Sequence, residues 1–94
     1  MNITRHAQAR AAQRNISRDV VSAVLVHGRL IRGRNVEAFF LGRREVKQAR
    51  RCGLNLSFAR NTQVIVSHDG KIITLYRTDR PMRDWSRSRP RRSR

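Results

Sequence analysis

His6, Arg10 and Arg14 recur at helical spacing, and Thr74, Tyr76 and Arg77 crowd together near the other end of the chain. These are the side-chain types that phosphate-ester chemistry uses. Imidazole and phenol can accept and donate protons. Guanidinium groups and a hydroxyl can neutralise and position a phosphorane. Cleavage of RNA by internal attack needs three events. The 2′-hydroxyl loses a proton, the crowded phosphorus has its charge neutralised, and the leaving 5′-oxygen gains a proton. The set contains a group for each. It needs no metal, and the sequence has no carboxylate cluster to hold one. No small-molecule cofactor is expected either, because Gly28, Gly33 and Gly42 are too scattered for a phosphate-binding loop.

Each residue also has a plain structural reading. A histidine on a polar helix face is commonly just exposed, and Arg10 and Arg14 can be solvated. Thr74 and Tyr76 both favour strands, and a tyrosine can pack its ring while its hydroxyl bonds for structural reasons. The joint occurrence in one basic chain carries the argument. His27 and His68 add little: one precedes a helix stop, the other sits in a turn, and neither has zinc-ligand spacing with Cys52.

The charge balance points the same way. Lys plus Arg number 22 against 6 Asp plus Glu, a net +16 carried mostly by Arg. Arg forks pair bidentately with phosphate, so the bias favours a polyanion partner. Besides Arg10 and Arg77, the cations expected to hold nucleic acid are Arg43, Arg44 and Lys47, then Arg80 and Arg83. The 94 residues suit one domain with a modest core. Cys52 is the only cysteine, which rules out an intrachain disulfide and suits a reducing compartment. No run reaches the ~18 apolar residues of a membrane span. The start, MNITRHAQAR, lacks the apolar stretch of a secretory signal. These features predict a cytoplasmic bacterial protein with no membrane contact.

The elements that must position the six residues can be read next. Thr4 is the expected N-cap of a helix to about Arg14, with Ile3, Ala7 and Ala11 on its inner stripe. Ser17 caps a second helix that stops at Gly28, with Asp19 in its first turn and Ile16 stapled onto Val21. Leu30 to Arg34 and Val36 to Leu41 read as strands about a turn at Gly33-Arg34-Asn35. Arg43 to Cys52 reads as a third helix, and Leu54, Leu56 and Phe58 as a strand or extended connection. Val64 to Arg77 is a β-hairpin turning at Asp69-Gly70. Strict alternation there puts Thr74 and Tyr76 on one face, with Ile73, Leu75 and Arg77 on the other. The expected fold is α+β, N-terminal helices on one face of a small antiparallel sheet of roughly three to five strands.

Residues 1–77 form the expected domain, and 78–94 an Arg-rich tail ending in SRSRPRRSR, expected to be disordered, with Met82 and Trp85 anchoring its start. The domain keeps fifteen basic against four acidic residues, so the charge does not come from the tail alone.

The segments HAQARAAQRNISRDVVSAVLVHG, FFLGRREVKQARRCGLNL and VIVSHDGKIITLYR resemble the bacterial domain-of-unknown-function family 4258. The pattern stands here as His6, Arg14, Ile16-Ser17, Asp69-Gly70 and Ile73-Thr74-Leu75-Tyr76-Arg77. The order of elements also resembles the RelE- and ParE-like toxins, whose fold is shared with barnase, EndoU and certain colicin nuclease domains. That resemblance implies metal-independent RNA cleavage leaving a cyclic phosphate, with His6, Arg14, Thr74 and Tyr76 as the catalytic residues. It implies RNA, free or ribosome-bound, as substrate and an antitoxin protein as partner, or else an interbacterial toxin domain. Two alternatives stay open: a nucleic-acid-binding module without catalysis, and a ParE-like toxin acting on a protein target.

Overall fold

The structure, a computed structural model, describes residues 2–82. The chain runs β1 (Asn2–Ile3), α1 (Arg5–Gln13), α2 (Arg18–His27), β2 (Arg29–Arg32), β3 (Val36–Leu41), α3 (Arg43–Arg51), a single 3-10 turn (Ser57–Ala59), β4 (Thr62–Ser67) and β5 (Lys71–Arg77). The five strands form one sheet in the order β1-β5-β4-β3-β2. All neighbours are antiparallel except β1, which runs parallel to β5. The fold is therefore α+β with a mixed sheet, rather than a wholly antiparallel one. Parallel strands need a long crossover, and every other element of the domain lies between β1 and β5.

The helices begin where side chains can replace missing backbone partners. Thr4 Oγ1 accepts from the Ala7 N–H and Ser17 Oγ from the Val20 N–H. Glu45 accepts from the Gly42 N–H at 2.9 Å and stands in the first turn of α3. One apolar cluster joins all three helices to the sheet: Ala7 of α1, Val20, Val21 and Val24 of α2, Val46 and Ala49 of α3, and Leu41, Val64, Ile72 and Leu75 below them. Each Val, Leu or Ile side chain among them contributes about 1.5–3 kcal/mol on full burial. The opposite face carries a smaller cluster, Ile31, Ala38 and Phe40, against which Ile65 and Met82 pack.

Three expectations need correction. Of the two readings for Leu54, Leu56 and Phe58, the strand fails and the connection stands; Leu56 tucks into the core and Phe58 lies in the 3-10 turn, half exposed. The alternation that looked like a strand came from one buried residue between two exposed ones. Second, the strand after Gly28 covers Arg29–Arg32, not Leu30 to Arg34, because the turn begins at Gly33. Third, the face assignment on β5 is broken by a bulge. Ile65 pairs with Thr74 but Val66 pairs with Ile72, leaving Ile73 unpaired. Ile72, not Ile73, therefore shares the core face with Leu75.

That bulge matters for the site. A regular ladder continuing from Ile72 would turn Thr74 and Tyr76 into the apolar interior and Leu75 out of it. The extra residue reverses this. Leu75 is fully buried, and Thr74 and Tyr76 are only half-buried. Trp85 and most of the expected tail lie outside the described residues. Within them, Thr78 to Met82 folds back over the sheet, with the Thr78 N–H donating to the Asn61 carbonyl and Met82 packed on the smaller cluster.

Candidate functional site

β1 covers β5 only at Lys71 and Ile72. Beyond Ile72 the outer edge of β5 has no strand partner among the described residues, and α1 runs alongside it instead. The inner stripe of α1, Ala7 with Ala11, packs on the core. Its polar stripe is consequently turned along the β5 edge. A groove of about 610 Å³ forms there, lined by His6, Arg10, Arg14, Thr74, Tyr76 and Arg77. Its volume lies in the ~300–1,000 Å³ range of small-ligand sites. The structure thus brings together six residues that begin and end 71 positions apart in the chain.

The polarity of the hydrogen bonds assigns directions to the proton-bearing groups. Gln63 is wholly buried beneath the groove, and both ends of its amide are used. Its Oε1 accepts from the Met82 N–H at 2.8 Å, which fixes the amide so that Nε2 donates to the Tyr76 hydroxyl oxygen at 2.6 Å. The phenol is an acceptor toward the interior. Its own O–H finds no acceptor among the described residues and is left to donate into the groove. On α1, Arg10 Nε–H donates to His6 Nε2 at 3.5 Å, so the imidazole presents Nε2 as an acceptor. At that length the bond is weak and yields readily to a better donor.

Arg14 has two tasks. One Nη1–H donates to the carbonyl of Leu75 at 3.0 Å, satisfying the β5 edge where no strand covers it. The guanidinium has five donors in all, and the rest remain for a ligand. The same bulge that turns Leu75 inward aims its carbonyl outward, three residues after the Ile72 carbonyl that accepts from Thr4. Arg77 Nη1 donates to the Thr62 hydroxyl at 3.4 Å.

The remaining expected cations lie elsewhere. Arg43, Arg44 and Lys47 are exposed on α3, outside this groove, and Arg80 is exposed on the segment after β5. Arg83 lies outside the described residues. Gln63 was not anticipated from the sequence. A glutamine between Thr62 and Val64 in an apolar strand was the available signal, since a buried amide must find partners. Among the described residues, no three His, Cys, Asp or Glu side chains cluster as a metal site. No described helix is long and apolar enough to cross a membrane.

One carboxyl outside the residues that line this groove is displaced from its ordinary range. The Ser67 hydroxyl, aided by Lys71, holds the Asp69 carboxyl below its usual value at the tip of the hairpin.

A family model described as domain of unknown function (DUF4258) matches residues 3–81. No curated protein and no solved structure matches the chain.

Proposed function

The chain belongs to the family described as domain of unknown function (DUF4258), and from that premise we propose that it is a metal-independent endoribonuclease. The carrying observation is the hydrogen-bond polarity in the groove: an imidazole nitrogen presented as an acceptor stands in the same concavity as a phenolic proton free to leave. His6 Nε2 takes the proton of the RNA 2′-hydroxyl as its oxygen attacks phosphorus. Arg14 and Arg77 neutralise the phosphorane, and the Thr74 hydroxyl positions it. The bond from phosphorus to the 5′-oxygen breaks, and Tyr76 gives that oxygen its proton. The products are a 2′,3′-cyclic phosphate and a 5′-hydroxyl. Solvent returns the proton from His6 to Tyr76 before the next turnover.

The order of elements, which resembles that of RelE-type toxins, supports a role for this activity in a toxin–antitoxin pair or an interbacterial toxin domain, acting in the bacterial cytoplasm. An antitoxin would present acidic groups to so basic a surface. Purified protein incubated with total RNA in EDTA is the test. Cutting that vanishes in a His6→Ala, Tyr76→Phe double variant supports the reading. No cutting by the intact protein, or equal cutting by the variant, ends it.

A second reading, a nucleic-acid-binding module without catalysis, is favoured by α3. Its exposed Arg43, Arg44, Lys47, Arg50 and Arg51 supply charge but no proton-transfer group. That module would bind RNA steeply dependent on salt and release it uncut. A protein target of the ParE-like kind would instead be held in high salt, where phosphate attraction is screened.

A further inference from the structure

Five arginines near the strand ends and the β2–β3 pair differ in their surroundings. Arg29 and Arg32 face carboxylates, Glu45 and Glu37, and are neutralised locally. Arg43, Arg60 and Arg77 form no ion pair among the described residues, and each lines a groove. The grooves share lining residues. Arg77 lines both the His6–Tyr76 groove and a second one of about 540 Å³, which also contains Arg60. Arg60 in turn lines a third, of about 290 Å³, together with Arg43.

Sheet register explains the alignment. Arg77 ends β5 opposite Thr62, and Thr62 begins β4 opposite Leu41, the last residue of β3. Three strand ends therefore lie abreast, spanning roughly 10 Å at about 4.8 Å per neighbouring strand. Asn61 ties them together. Its N–H donates to the Leu41 carbonyl at 2.6 Å, and its carbonyl accepts from the Thr78 N–H at 2.8 Å. Arg60 is carried on that clamped corner, and Arg43 opens α3 just past Leu41.

We propose that this row is a single-stranded RNA path: nucleotides flanking the scissile phosphate leave the His6–Tyr76 groove past Arg77 and lay their phosphates on Arg60 and then Arg43. Asp79 lines the second and third grooves and is the acidic group on the path. The proposal rests on the nucleic-acid reading of the first groove. It does not require that groove to be catalytic.

The test uses uncleavable 2′-O-methyl oligouridylates of two and six nucleotides and fluorescence anisotropy. The intact protein is expected to bind the hexamer at least ~10-fold more tightly than the dimer, because each phosphate contact releases counterions. In an Arg43→Ala, Arg60→Ala variant that advantage should disappear while dimer affinity holds. The slope of log affinity against log salt should fall by about 1.4, two contacts at ~0.7 each. An Arg5→Ala, Arg18→Ala variant removes the same charge off the path and should keep the length preference. Retention of that preference by the Arg43/Arg60 variant, or equal loss in both variants, overturns the path. Absence of any preference in the intact protein does the same. Total RNA left uncut in EDTA by a protein with the expected length preference removes the nuclease reading and leaves the path standing.

Discussion

The outer edge of β5 and the outer face of α3 are both strongly basic, yet they differ in what accompanies the charge. On α3 the cations alternate with Val46 and Ala49 below and water above. At β5 the cations surround an imidazole and two hydroxyls, and a buried amide orients one of those hydroxyls. Charge alone can hold a polyanion. Breaking one requires protons to move at stated atoms, and in the proposed mechanism those atoms stand at the β5 edge. The difference comes from local backbone. α3 is a regular amphipathic helix, whereas β5 carries a bulge and an uncovered edge.

The sharpest way to separate the two regions is to remove one arginine from each. Arg14→Ala should lower single-turnover cleavage by ~10²–10³-fold, the usual cost of losing one transition-state donor. It should also cost about 1 kcal/mol of stability by leaving the Leu75 carbonyl without its partner. Arg44→Ala should leave cleavage at saturating RNA unchanged. Equal losses would erase the distinction between the regions.

Gln63→Leu probes the orienting amide without touching the groove wall. It frees the Tyr76 oxygen from its internal donor and leaves the Met82 N–H unpaired. Stability measured by urea denaturation should fall by ~1–3 kcal/mol. The cleavage rate should fall while the Michaelis constant stays put, and Gln63→Glu, which can still accept from Met82 but cannot donate to Tyr76, should not restore it. A Michaelis constant that rises with the rate unchanged would make Gln63 merely structural.

On the α3 side, Arg44→Ala with Lys47→Ala should weaken binding of all RNA sequences alike and reduce the salt slope by ~0.7 per lost contact. The smallest effect belongs to neither region. Asp69 is held below its usual range by Ser67, so its contribution to stability is present above the unfolded carboxylate range near 3.8. It fades as pH falls through the lower folded value. Asp69→Asn should lower the melting temperature slightly at neutrality, and the difference from the intact protein should vanish as pH falls well below about 4, flattening the acid limb of a melting curve.

Much of this arrangement is legible in the sequence, for identifiable reasons. Thr4 and Ser17 are strong caps, and Gly70 takes a positive φ of 89° in the hairpin turn, so the helices and the hairpin announce themselves. The helical stripe of Ala7 and Ala11 fixes by elimination where His6, Arg10 and Arg14 face. Other features depend on tertiary partners. The bulge at Ile73 answers to β4, and no local propensity marks it. β1 is two residues long and is a strand only because β5 is beside it. Gln63 acquires its meaning from Tyr76 and Met82, and Arg60 from two grooves that meet at a strand end.

Mass spectrometry of the ends left on a digested RNA tests the central claim most directly. Internal attack assisted by His6 and Tyr76 predicts 2′,3′-cyclic phosphate and 5′-hydroxyl termini, formed in EDTA, with a DNA strand of the same sequence left whole. Termini bearing 3′-hydroxyl and 5′-phosphate, or DNA cut as readily as RNA, would contradict it.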